Sequence, residues 1–147
     1  MKLHTASEVI SFARELENKS ARFYQDLSER CARDKELFLS FAKENGKNVT
    51  QIERTYYGVI TDAIEGCFAF DVETDEYKFK TELVANASYS DALEEAVEME
   101  QKVIKFYSDA AEQSQSLMAD VPRAFKMVVK KREQRVPKLE SLLKKES

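Results

Sequence analysis

The chain contains the same helix twice. Glu17 is followed by Phe23 and Tyr24, and Glu100, 83 positions further on (100 − 17), is followed by Phe106 and Tyr107 at identical spacing. Ala13, Glu15, Lys19 and Asp26 recur in that register as Ala96, Glu98, Lys102 and Asp109. Each copy also opens alike. Thr5-Ala-Ser-Glu8 is a capping-box pattern, in which hydroxyl and carboxylate each satisfy an orphan backbone donor, and Ser88-Tyr-Ser-Asp91 repeats it with a shorter acid. Both caps stand twelve residues ahead of their glutamates (17 − 5 and 100 − 88), so the register is set from the first turn. A helix with an apolar stripe and an acid on its shoulder cannot bury that stripe alone. It needs its copy and further helices around it, which predicts a bundle with charge in its interior.

The inward stripe of the first helix, which the pattern carries to about Cys31, is Val9, Phe12, Ala13, Leu16, Ser20, Phe23 and Leu27; in the third it is Ala92, Ala96, Met99, Val103, Phe106 and Ala110. The second and fourth helices correspond more loosely, offset by 87 (125 − 38): Phe38, Lys43, Val49 and Glu53 recur as Phe125, Lys130, Val136 and Glu140. At about 100° per residue, Phe38, Phe41, Ala42, Asn45, Val49 and Ile52 share one face, as do Phe125, Val128, Val129, Arg132, Val136 and Leu139. Asn45 and Arg132 fall at the centres of these stripes, with Asn48 and Arg135 one turn on and nearer the edge. Pro122 sits harmlessly in the first turn after Asp120, whereas Pro137 removes a hydrogen bond and predicts a bend in the fourth helix.

Only three glycines and two prolines interrupt 147 residues, and 34% of them are charged, which favours an all-α domain over a sandwich or barrel. The whole chain reads as one domain. The stretch 59–87 is too long for a hairpin and must cross the bundle, so that the second and third helices run parallel, with Phe68, Phe70, Tyr77 and Phe79 available to pack along the outside. Tyr56-Tyr57 reads as packing against this crossover. No apolar run approaches the roughly 20 residues that span a bilayer, and Met1 to Ser7 lacks the apolar core of a signal peptide, so the expected compartment is the cytoplasm. Cys31 and Cys67 form no C-x-x-C pair and read as reduced thiols; His4, the only histidine, reads as a frayed, solvated residue rather than a metal ligand.

Paired helices carrying Glu with Phe-Tyr six and seven residues later, interleaved with a second pair and split by a long crossover, resemble the ferritin-like superfamily, and within it the rubrerythrin-like branch. The resemblance covers the chain from Thr5 to about Leu143. It implies a four-helix bundle with two iron ions at its centre, held by one Glu from each of the first and third helices and by Glu-x-x-His from each of the others. Glu17 and Glu100 match the first pair of ligands, and Tyr24 and Tyr107 match the tyrosines that hydrogen-bond the carboxylates. The other half departs from the pattern: the second helix reads Asn45-Gly-Lys-Asn48 and the fourth Arg132-Glu-Gln-Arg135. The C-terminal iron-thiolate module of full rubrerythrins is also missing from the sequence.

Two cations thus replace a carboxylate and an imidazole while the facing glutamates are kept. The resemblance with these departures implies a core of Glu17 and Glu100 paired with Arg132 and Arg135, whose planar forks can each satisfy a carboxylate bidentately, and no metal beside them. On this reading the protein holds no cofactor, is not an enzyme, and serves as a structural or partner-binding protein, with self-association, as a dimer, expected. The alternative is a divergent diiron oxidoreductase or iron-binding protein that uses Glu17 and Glu100 with neighbours such as Glu44 or Glu133, which otherwise read as solvated; a small-ligand pocket at the centre is a third. From Asp120 to Ser147 there are nine basic and four acidic residues, and from Ser88 to Glu112 two basic and seven acidic. Attraction between neighbouring helices accounts for this split. With −4 overall and no reader motif, nucleic acid is not an expected partner, and neither is a membrane.

Overall fold

Thr5 caps the first helix, α1 (Ala6–Arg30), and does so reciprocally. Its hydroxyl accepts from the Glu8 N–H at 3.2 Å, and the Glu8 carboxylate accepts from the Thr5 N–H at 3.0 Å. The helix stops where the Cys31 N–H bonds back to the Leu27 carbonyl. Ser88 caps α3 (Tyr89–Gln113) by accepting from the Asp91 N–H at 3.0 Å. Between them lies α2 (Lys35–Val59), and α4 (Asp120–Glu133) and α5 (Arg135–Glu146) complete the α-helices among the described residues. The structure, a computed structural model, describes residues 1–59, 70–116 and 120–146. Cys67, Phe68 and the part of the crossover between residues 60 and 69 lie outside the described residues.

The all-α class holds: the one sheet among the described residues is a two-stranded pairing of β1 (Lys2–Leu3) with β2 (Val72–Glu73). This small ribbon corrects the expectation of a frayed start. Leu3 sits opposite Val72 and is buried, and the His4 carbonyl accepts from the Phe70 N–H at 3.0 Å, leaving His4 half-buried.

The crossover sets the direction of the helices. Gln113, at the end of α3, exchanges hydrogen bonds with the Asp71 backbone at 2.7 and 3.2 Å, beside the ribbon at the start of α1. Arg30, at the far end of α1, donates to the carbonyls of Leu83 and Val84 at 3.1 and 2.7 Å. The chain from 70 to 84 therefore runs the length of the bundle, and α1 is antiparallel to α3. A single 3-10 turn (Ala32–Asp34) joins α1 to α2, which makes these antiparallel too, so α2 and α3 run parallel. α1 packs on α2, α3 on α4 and α5, and α2 on α4, placing α2 and α3 at diagonal corners.

The crossover aromatics lie deeper than the outside of the bundle. Phe70 and Tyr77 are buried and Phe79 half-buried; Tyr77 meets Phe106 edge-on at 5.4 Å, and its hydroxyl donates to Asp109 at 2.6 Å. Of the adjacent tyrosines only Tyr56 is buried, while Tyr57 faces solvent. The stripes otherwise form the core, with Phe12, Val49, Val129 and Val136 half-covered at its margin.

The fourth helix is interrupted just ahead of its proline, where Pro137 is expected to disturb it. Gln134 forms a turn between α4 and α5, three residues before Pro137. The proline ring collides with the carbonyl four residues upstream, that of Glu133, and lacks the N–H that would bond to it, so the interruption falls ahead of the proline. Gly46, by contrast, costs helix stability without a structural return. It is exposed in mid-helix, and a Cβ added there meets nothing within 4 Å. Gly46→Ala is expected to stabilise the fold by up to about 1 kcal/mol in denaturant titration, by removing backbone freedom from the unfolded chain.

Candidate functional site

Four ionisable side chains meet at the centre of the bundle, and all are sealed from solvent: Glu17 from α1, Glu100 from α3, Arg132 from α4 and Arg135 from α5. Arg132 lies between the carboxylates. One arm of its guanidinium donates to Glu100 Oε1 at 2.7 Å and the other to Glu17 Oε2. The fork is therefore shared between two acids rather than closed on one, contrary to the bidentate pairing expected from sequence. Arg135 donates to Glu100 Oε2 at 3.1 Å, so Glu100 takes one arginine on each oxygen.

The two repeated helices complete each other's hydrogen bonds. The Tyr107 hydroxyl of α3 donates to Glu17 Oε1 of α1 at 3.1 Å, and the Tyr24 hydroxyl of α1 donates to Glu100 Oε2 of α3. α2 supplies amides. Asn48 Nδ2 donates to Glu17 Oε1 at 3.1 Å, while Asn45 Oδ1 accepts from Arg135 at 2.6 Å and from Arg132 at 3.3 Å. Asn48 and Arg135, assigned from the periodicity to the stripe edges, are as buried as Asn45 and Arg132. Helix α2 approaches close enough to cover both turns.

Sequence reasoning missed two members. Ser20, counted there only as a small core residue, accepts from Asn45 Nδ2 at 3.0 Å and lies 3.5 Å from an Arg132 nitrogen. Glu44, read as solvated, lies at the rim of the cluster and accepts from two Arg135 nitrogens at 2.9 and 3.2 Å. The sequence signal for Glu44 was its position directly before Asn45, which puts it within reach of a long side chain crossing from the fourth helix. Glu133, Glu15 and Glu98 are exposed and take no part. Arg135 also lies over the Phe41 ring at 4.9 Å and the Tyr24 ring at 5.6 Å, so its planar cation is covered by aromatic faces as well as bonded.

Electrostatics keep Glu100 and Arg132 charged despite burial. Burial pushes the Glu100 carboxyl upward, but the adjacent charges of Arg132 and Arg135 and the Tyr24 hydroxyl outweigh it and hold the group below the usual carboxylate range. Burial likewise works against charge on Arg132, and Glu100 and Glu17 overcome it, leaving the guanidinium firmly protonated. Tyr24 and Tyr107 move well upward, first through burial and then through the negative carboxylate each one faces, so both stay neutral donors. Two acids and two arginines sum to zero in the sealed centre, which makes the burial of four charges tolerable.

A dinuclear metal centre of the kind the resemblance implies does not fit this donor set. All four oxygens of Glu17 and Glu100 already accept hydrogen bonds, and Arg132 and Arg135 stand where two further ligands would be needed. Dications there would meet two guanidinium charges at close range. Among the described residues no group of three or more His, Cys, Asp or Glu side chains is placed to hold a metal ion, and no helix is long and apolar enough to cross a membrane. What the arrangement can do is lock: it joins α1, α2, α3, α4 and α5 through one connected polar network and admits one register between them.

The chain matches no protein-family model, no curated protein and no solved structure. Fold and site together define a helical bundle organised around a buried, charge-neutral arginine–glutamate cluster.

Proposed function

We propose that this protein is a ferritin-like bundle of the rubrerythrin-like branch in which an arginine–glutamate cluster has taken the place of the iron centre, and that it acts as a metal-free structural or partner-binding protein that self-associates. One observation carries this reading: Arg132, fully buried, bridges Glu17 and Glu100, the two carboxylates that match the family's ligands on the first and third helices. The reciprocal Tyr24–Glu100 and Tyr107–Glu17 bonds support the descent, because they are the remnant that a duplicated carboxylate site leaves when its other ligands are replaced. The diagonal, parallel placement of α2 and α3 supports the same topology.

Elemental analysis of protein produced in iron-rich medium, and again after anaerobic incubation with ferrous iron, tests the reading. Iron well below one equivalent per chain is the expected result, with no change in the melting temperature on adding ferrous, manganous or zinc ions. The second reading, a divergent diiron oxidoreductase, draws on the survival of Glu17, Glu100, Tyr24 and Tyr107. Near-stoichiometric iron, together with peroxide-dependent oxidation of ferrous iron that disappears in Glu17→Ala, would establish that reading and end the first.

A further inference from the structure

We infer that the outer face of α2 docks on the outer face of α3 of a second copy, building a head-to-tail assembly held by opposite charge. This rests on the self-associating reading above and names the surfaces involved. Along the crossover and the residues that touch it, charges are cross-matched: Lys2 with Asp71, the N-terminus with Glu73, Lys78 with Asp75, Lys105 with Glu76 and Asp109, Lys80 with Glu95. The outer side of α2 and its neighbour α4 is different. Lys43, Lys47, Arg54, Lys126 and Lys130 are exposed, and none of their side chains has an ion-pair or hydrogen-bond partner among the described residues. With the exposed Glu36 and Glu133 on the same stripes, this side carries +3 (5 − 2), which leaves the remainder of a molecule of net charge −4 at −7 (−4 − 3).

This basic face also carries apolar side chains that solvent does not favour. Tyr57 is 71% exposed, Met127 42% and Leu39 40%, and all three belong to α2 or α4. Leu39, Lys43, Lys47, Arg54 and Tyr57 recur at helical spacing as one stripe, with Gly46 among them offering an uncrowded backbone. The complement exists on the same molecule but cannot reach it. Asp91, Glu94, Glu98 and Glu112 are exposed along the outside of α3 and have no ion-pair partner among the described residues. Because α2 and α3 stand at diagonal corners, their outer faces point in opposite directions. Such a face can meet its complement only on another copy, and the contact is heterologous, so copies add in a chain or close into a ring.

Nucleic acid and other acidic proteins are the competing occupants of the basic face. A phosphate backbone would meet the acidic bulk of the molecule around a small positive stripe, and an unrelated acidic protein would leave the α3 acids without a role. A second copy accounts for both stripes.

The test is a charge exchange followed by sedimentation velocity and light scattering on the metal-free protein. Wild type is expected to associate at about 20 mM salt and to weaken roughly tenfold or more by about 300 mM, as contacts between exposed charges are screened. Lys43→Glu with Lys47→Glu, and separately Glu94→Lys with Glu98→Lys, should each be monomeric, and an equimolar mixture of the two variants should associate again. Circular dichroism melts of each variant establish that both are folded, as expected for exposed positions. A wild type that is monomeric at low salt, or one whose assembly survives both exchanges, overturns the inference. So does restored association in wild type plus oligonucleotide only. Iron measured on the same samples reports on the metal-free reading independently, since bound iron would refute that reading without altering the salt dependence or the rescue.

Discussion

Arg132→Ala is expected to destabilise the protein by about 3 to 5 kcal/mol, because it removes the cation that bridges Glu17 and Glu100 and leaves an uncompensated carboxylate in a site closed to water. For a chain of this size that corresponds to a melting temperature lower by roughly 10 °C or more. Lysine at the position should not rescue it, since a single ammonium lacks the planar fork that spans two acids. Arg135→Ala should cost less. Its partner Glu44 is about a third exposed and can turn to water, although Glu100 still loses one of its two arginines. Arg22, exposed on α1, serves as the surface control, expected to change stability by well under 1 kcal/mol. Urea titrations of the three variants decide the matter, and small, equal losses would mean that the cluster does not hold the bundle together.

Alkaline solution offers a second large effect with a definite sign. Tyr24 and Tyr107 are held neutral in the folded protein, first by burial and then by the carboxylates they face, so their folded pKa values lie well above the ordinary tyrosine value near 10. A group whose folded pKa is raised stabilises fully below its unfolded pKa and loses that contribution as pH rises. Above about pH 10 the unfolded chain releases these protons and the folded one does not, so stability falls by about 1.4 kcal/mol per pH unit for each phenol, or nearly 3 for the pair. Tyr77 and Tyr89, pushed upward by burial and by Asp109 and Asp34, steepen the fall. Denaturant titrations from neutral pH to about pH 11.5 in wild type and in Tyr24→Phe with Tyr107→Phe are the measurement. The double variant starts less stable but should show a shallower alkaline decline. Parallel declines would place both hydroxyls in contact with water.

What could be read from residues alone was whatever repeats or is local. The caps at Thr5 and Ser88 act within four residues, so their hydrogen bonds follow from spacing. The convergence of Glu17 and Glu100 follows from register, and the central placement of Asn45 and Arg132 from helical period. Two features escaped because they depend on approach between elements. Glu44 joins the cluster through the reach of Arg135 from another helix, which no periodicity of α2 encodes. His4 looked solvated beside the first Met, but a two-residue pairing with Val72 and Glu73, nearly half the chain away, brings it under cover. How Arg132 divides its two arms between two acids is set by the closeness of α1 and α3 on either side of it.

The exchange of tyrosines between the repeats has a consequence for the chain as a pair of halves. Tyr24 serves the glutamate of the second half and Tyr107 that of the first, while both arginines come from the second half. Neither half is self-sufficient: the N-terminal one would be left with a buried acid and no cation, the C-terminal one with two cations and one acid. Covalent continuity through the crossover is therefore a convenience of assembly, and mutual need at the centre is what makes one molecule of two similar pieces.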